Sequence, residues 1–230
     1  MAREPKEDGR RQRSRLTRAR IVDAAARLLV DQGYLATTIE AVAERAGVAV
    51  QTVYYVFGNK RNLLAAVLDV SIAGDVEPVA TLERSWVDTL RDEQDPTAAV
   101  ERLIEATVAI VARATPIYEV LRQAAADPEV AALLDDTRRR RRQDQRQLID
   151  IVAQSGHLHP DVDVETAADI FYALMNEEVF QLLTRDCGWD LIQFHSWATS
   201  TMLHQLVGTD TTRANQRHRR ARGSATTPAP

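Results

Sequence analysis

The sequence predicts an all-α fold. Apolar residues recur at helical spacing along almost the whole chain, strand-like alternation is scarce, and Gly and Pro fall between the periodic stretches. At 230 residues the chain can bury a core without staples, and its single cysteine, Cys187, leaves no internal disulfide to form. No apolar run approaches the roughly 20 residues of a membrane span, and the N-terminus MAREPKEDGRRQRSR lacks the apolar segment of a signal peptide. A soluble, cytoplasmic protein that touches no membrane is therefore expected.

Charge divides the chain. Residues 1–62 hold 12 Lys and Arg against 7 Asp and Glu, whereas residues 63–230 hold 17 against 26. A basic head favours phosphate by Coulomb attraction and counterion release, and an acidic remainder is repelled by a polyanion. Four segments follow: a flexible basic arm (1–14), a basic head (15–62) that is the candidate polyanion binder, a helical body (63–207) and a disordered tail (208–230). Arm and tail lack the apolar side chains that would offset the entropy of ordering them.

The first helix is read from Thr17 to about Gln32, with Ile21, Ala25, Leu28 and Leu29 on one stripe and Gly33 as its stop. Thr37 is placed as the cap of a second helix, with Glu40 three residues on in capping-box spacing, and Ile39, Val42, Ala43 and Ala46 facing inward. Ala46-Gly47-Val48 makes a sharp turn, and a short third helix runs from Val50 to about Val56. Asn59 caps a fourth, which begins Lys60-Arg61 and carries Leu63, Leu64, Val67, Leu68 and Val70. After the breaks at Gly74 and Pro78, helices are expected at 81–91, 97–114, 116–126, 128–155, 164–186 and 190–207.

Three helices in about forty residues, the last two joined by a glycine turn, form a helix-turn-helix. Val53 and Phe57, one turn apart, point into its small core and leave Gln51, Thr52, Tyr54 and Tyr55 directed outward, where Gln51 can read adenine in a bidentate way. Plain packing is the alternative for the two tyrosines. The segment TRARIVDAAARLLVDQGYLATTIEAVAERAGVAVQTVYYVFGNKRNLL resembles the N-terminal signature of the TetR family, with Thr38, Ala46-Gly47-Val48, Thr52-Val53-Tyr54, Phe57 and Lys60 in its positions and spacing. The resemblance implies an Ω-shaped dimer, a C-terminal ligand domain and repression relieved by ligand. It also implies that Thr38 and Tyr54 touch phosphate, that Lys60 is a phosphate cation, and that Gln51, Thr52 and Tyr55 face bases. Two positions depart from the family pattern: Ala49 stands where Ser or Thr would cap the third helix, and Val56 stands where a polar residue often contacts the DNA backbone. Arg10, Arg11, Arg13 and Arg15 of the arm add either DNA contacts or solubility.

The body resembles the family only in being helical and of similar length. Trp86, Leu103, Thr107, Tyr118, Phe171, Met175 and Asn176 supply the mixture of apolar and polar groups that a small-molecule pocket uses, with plain core packing as the alternative for each. Asn176, Glu177 and Glu178 interrupt an apolar stretch, and a polar group turned inward there needs a partner or a ligand. The last two helices are apolar on more than one face, through Phe171, Leu174, Val179, Phe180 and Leu183, then Leu191, Phe194, Ala198, Met202 and Leu206. The surplus suggests a four-helix homodimer interface with Trp189 and Trp197 as anchors, or else a bulkier single core.

The run Arg138–Arg142 reads as a solvated lattice of ion pairs, with Asp135, Asp136 and Asp144 four residues from Arg139, Arg140 and Arg140, in preference to a second DNA site. His157, His159, Asp161 and Asp163 suggest a turn, formed at Gly156 and Pro160, with Asp163 as a helix cap, in preference to a metal site. No cofactor-binding glycine loop or nucleophile motif appears, so no cofactor and no enzymatic activity are expected. The partners this predicts are a palindromic double-stranded DNA operator, a small-molecule effector and a second copy of the chain. An activator of the same fold, or a helical scaffold, is the alternative.

Overall fold

A computed structural model of the chain describes residues 5–77, 79–154, 158–159 and 161–207, and every regular element among them is helical. The predicted tail, along with His157, Gly156 and Pro160, lies outside these residues. The head comprises α1 (Pro5–Ala36), α2 (Ile39–Ala46) and α3 (Val50–Phe57), and α4 (Lys60–Ala73) leads out of it. The body holds α5 (Ser85–Asp92), α6 (Pro96–Gln123), α7 (Pro128–Gln154), α8 (Val164–Leu174), α9 (Glu177–Gln181) and α10 (Leu191–Met202). Wide π-type turns, Leu182–Asp186 and Leu203–Val207, extend α9 and α10. Among the described residues no helix is long and apolar enough to cross a membrane.

Several boundaries differ from the sequence reading, each for a local reason. α1 reaches back to Pro5 through residues read as an arm. Lys, Glu, Arg and Gln are good helix formers, and a helix already nucleated on its apolar stripe extends cheaply. Gly33 does break the regular geometry, at φ 80°, and one further turn runs on to Ala36. The cap of α2 is Thr38, not Thr37: its Oγ1 accepts from Ala41 N at 3.1 Å, while the buried Thr37 hydroxyl donates to Gly33 O at 2.8 Å. Both are threonines, and the turn at Gly33 decides which hydroxyl faces the helix end.

The two helices expected on either side of Thr115 are one, with Pro116 inside α6. Pro116 has no N–H for the carbonyl of Ala112, but the turn survives between two buried apolar faces. The helix expected over 164–186 is instead broken at Met175 and Asn176. Asn176 Oδ1 accepts from the backbone N–H groups of Glu178 and Val179, at 2.9 and 2.8 Å, and so caps a new helix. Asp163 caps α8 as expected, accepting from Thr166 N at 2.8 Å.

The core has two parts strung along α6. Ala114, Ile117, Tyr118, Val120 and Leu121 of its second half pack with the head residues Ile21, Leu29, Val42, Val53 and Phe57, with Leu64 and Leu68 of α4, and with Leu133 of α7. Ala99, Val100, Leu103, Ile104 and Val108 of its first half pack with α5, the end of α7, α8 and α10. The seam between the two falls near Thr107–Ala114, and there the body opens into a cavity.

Candidate functional site

Two features stand out, the outer face of α3 and the cavity at the seam. In α3, Val53 and Phe57 are buried while Gln51, Tyr54 and Tyr55 are exposed, Tyr55 at 91%. Thr52 is half-buried beside them. Gly47 makes the turn into α3 at φ 63°, and the Arg20 guanidinium donates to the carbonyls of Ala46 and Gly47, tying α1 to that turn. Ala49 makes no side-chain cap bond. The first backbone N–H groups of α3 therefore have no capping side chain, unlike those of α2 and α4, which Thr38 and Asn59 cap.

Thr38 is exposed at the start of α2. Lys60 opens α4 half-buried: its Nζ lies 4.2 Å from the centre of the Tyr34 ring and donates to Leu35 O at 3.4 Å, and burial pulls its pKa down. Of the arm arginines, Arg13 Nε donates to Gly9 O at 3.0 Å, and Arg15 pairs with Glu77 at 3.3 Å. Arg15 therefore fastens α1 to the segment after α4. The side chains of Arg10 and Arg11 lie outside the described residues.

The cavity encloses about 570 Å³ between α1, α4, α6 and α7. Ile110, Val111, Ala114 and Leu148 form its apolar wall, and α7 contributes Thr137, Arg140, Arg141, Asp144 and Gln145. These positions recur at three and four, so they form one stripe of the helix. Arg18 of α1 also lines the cavity, and its guanidinium lies 4.9 Å from the centre of the Phe57 ring under α3. One side chain thus touches both features.

Of the seven residues expected at a pocket, Thr107, Tyr118 and Met175 line this cavity. The other four do not. Leu103 and Phe171 are fully buried in the far core, Trp86 packs against it, and Asn176 is spent on capping α9. Spacing alone does not say toward which neighbour a helix turns its apolar face. Sequence reasoning missed Arg18, Asp69, Arg141 and Gln145, although the polar stripe 137, 141, 144, 145 inside an amphipathic helix was a readable signal.

The arginine run is also corrected. Among the described residues Arg139 makes the one ion pair of the run within α7, with Asp136, while Arg140 lies near Asp144 as expected. Arg138 reaches Glu178, Arg140 reaches Asp69, Arg142 reaches Asp169, and Arg141 turns inward to the buried Glu177. Arg141 also lies over the rings of Tyr172 and Tyr118, at 4.7 and 5.7 Å, and burial pushes the Tyr118 phenol up to about 12. Glu177 is thus the inward polar group that needed a partner, and Arg141 is that partner.

In the last two helices Phe171, Phe194, Ala198, Met202 and Leu206 are consumed by the core of this one chain. Trp189 and Trp197 meet edge to face at 6.1 Å and are half-buried. Left exposed at this end are Leu182, Leu191 and Ile192, at 54%, 48% and 77%. Among the described residues no group of His, Cys, Asp and Glu could hold a metal ion. His159 instead accepts from Asp161 N at 3.2 Å.

A trihelical head with an outward polar third helix, joined to a helical body, defines a class of protein: a helix-turn-helix DNA-binding regulator. Residues 21–67 match the family model described as bacterial regulatory proteins, tetR family. The head is thus similar to the DNA-binding part of TetR-family transcriptional regulators. The chain is 29% identical to the probable HTH-type transcriptional regulator ArpR of Pseudomonas putida over 189 residues, which cover 76% of this chain and 84% of that one. The HTH-type transcriptional regulator TtgR of Pseudomonas putida is 28% identical over 189 residues, which cover 76% of this chain and 84% of that one.

Solved structures share the fold. NalD, the secondary repressor of the MexAB-OprM multidrug efflux pump in Pseudomonas aeruginosa, superposes with a TM-score of 0.62 at 22% identity, covering 84% of this chain and 98% of that one. The regulator FadR of Bacillus subtilis in complex with stearoyl-CoA gives 0.62 at 20% identity, covering 83% and 98%.

Proposed function

We propose that the chain is a ligand-responsive repressor which holds a palindromic operator as a homodimer and leaves it when a small molecule enters the body cavity. The observation that carries this reading is the exposed row Gln51, Tyr54 and Tyr55 on α3, backed by Phe57, which in turn lies under the cavity-lining Arg18. The domain limits follow the same division, with residues 15–62 binding DNA and 63–207 binding ligand and partner. Gln51, Thr52 and Tyr55 meet base edges in the major groove, while Thr38, Tyr54, Lys60 and the N–H groups at the start of α3 hold phosphates.

In a two-fold dimer the recognition helices must lie about 34 to 36 Å apart to enter successive major grooves. The exposed Leu182, Leu191 and Ile192 supply the apolar face for that pairing. A ligand shifts the population only by binding the DNA-incompetent form more tightly. α4 and Arg18 touch both head and cavity, so a wall that moves there changes the separation of the two heads.

The test is binding to the DNA upstream of the protein's own gene across a salt series. Lys60→Ala should weaken binding alike on every sequence and flatten the salt slope by about one counterion, whereas Gln51→Ala should cost about 1–3 kcal/mol at one base position only. Equal loss on all sequences from Gln51→Ala would remove it from the base readers, and an unaltered wild-type affinity between low and high salt would end the DNA-binding reading.

A further inference from the structure

We infer that the cavity takes an organic cation, with an ammonium head held by Asp69 and Asp144 and an apolar body lying along α6. This deepens the effector reading above and rests on it. Five carboxylates line the cavity: Asp69, Asp75, Glu77, Asp144 and Glu177. Three of them have arginines of their own. Asp75 receives two bonds from Arg84, at 2.7 and 3.1 Å, Glu77 pairs with Arg15 at 3.3 Å, and the buried Glu177 pairs with Arg141.

Asp69 on α4 and Asp144 on α7 are less well served. They share Arg140, whose Nη1 stands 3.8 Å from Asp69 Oδ1, and Asp144 makes no hydrogen bond to another described residue. Arg18 adds attraction at Asp69, but its guanidinium is already over the Phe57 ring. Both acids line the cavity, the Asp69 side chain keeps 60% of its surface accessible to a ligand, and desolvation by the surrounding protein raises both carboxyls above the usual range. A cation between them relieves that cost.

Arg140 is the member that can leave. Its side chain is more than half exposed, and its two contacts, to Asp69 and at 3.5 Å to Thr137 Oγ1, are both long. The carboxylates are short and fixed on packed helices, so an entering cation displaces the arginine into solvent and keeps both acids. For an anion the innermost cation is already taken, since Arg141 pairs with Glu177 and lies against the rings of Tyr172 and Tyr118, and Arg18 and Arg140 are the arginines left on the lining.

An independent observation points the same way. Gln145 is 94% buried in the cavity wall, where its Nε2 donates to Met175 O at 3.3 Å and its Oε1 accepts nothing. A buried acceptor without a donor is costly, and an ammonium N–H supplies the donor. Arg141 Nε, on the same face one turn earlier, is a buried donor without an acceptor, so the ligand also gains from a carbonyl or hydroxyl oxygen near its head. Ile110, Val111, Ala114 and Leu148 accept the body.

The test is calorimetric titration of the full chain with decylammonium, decanol and decanoate, three probes that share one body and differ in the head. Decylammonium should bind at least about tenfold more tightly than decanoate, and the double variant Asp69→Asn, Asp144→Asn should erase that preference while leaving decanol unchanged. Circular dichroism checks that the variant keeps its helix content. Gln145→Leu, a second and independent variant, should weaken decylammonium more than decanol. Decanoate binding as tightly as decylammonium, a double variant that keeps the preference, or no binding by any of the three overturns the proposal. Operator release is measured separately: decylammonium that binds with the expected preference but leaves DNA affinity unchanged upholds the cation site and rejects the effector reading, and DNA release by all three probes with no charge preference in binding upholds the effector reading and rejects the cation site.

Discussion

Gly47 sits at the turn between α2 and α3 with a left-handed backbone, and a Cβ there would lie 2.8 Å from the Arg20 guanidinium that braces the turn. Only glycine takes that conformation without cost, because in other residues Cβ crowds the following carbonyl. Gly47→Ala should therefore lower stability by about 1–2 kcal/mol, read as a shift in the urea midpoint with an unchanged slope. A change under about 0.5 kcal/mol, the range of ordinary surface substitutions, would show that the turn carries no strain. This glycine was readable in the sequence, since no other residue type suits a tight turn between two amphipathic helices. Neighbouring residues were harder. Thr37 and Thr38 have the same hydroxyl, and which one caps α2 depends on the backbone that leaves Gly33. Asn176 was noticed as a polar interruption but read as a pocket residue, because an amide that caps and an amide that binds look alike until the chain direction is known.

α3 is a short helix that opens without a side-chain cap. Ala49→Ser restores the hydroxyl at that position and should raise stability by about 1 kcal/mol, measured by equilibrium unfolding. No gain would mean that the serine hydroxyl turns elsewhere. At this scale the sequence was most informative: an amphipathic stripe depends on a helix's own spacing, so the apolar faces of α1 to α4 were legible from sixty residues. Partners across elements were not. The arginines of α7 were matched to acids on their own helix, yet four of the five point to α4, α8 or the segment around Glu177. Side chains as long as arginine reach whichever acid the packing brings near, and local spacing carries no record of that. Pro116 illustrates the same limit, since burial on both faces of α6 outweighs the proline's tendency to stop a helix.

For the whole molecule, the exposed Ile192 and Leu182 give the proposed pairing surface its sharpest test. Ile192→Glu places a charge at a residue that is 77% exposed in the single chain, so the fold should be untouched. Across a dimer interface it would be buried without a partner, so sedimentation should show half the wild-type mass and affinity for a palindrome should fall. An unchanged mass would move the interface elsewhere. The larger pattern concerns how head and body meet. The charge count suggested a cut after Asn62, but one apolar core runs through that point, joining Ile21, Val53 and Phe57 to Ile117, Leu121 and Leu133. A chimera made by exchanging heads between relatives at residue 62 would expose a raw apolar face on both pieces. Heating should accordingly melt head and inner body in one step, and a graft intended to keep sensing intact must carry the second half of α6 along with the reader it supports.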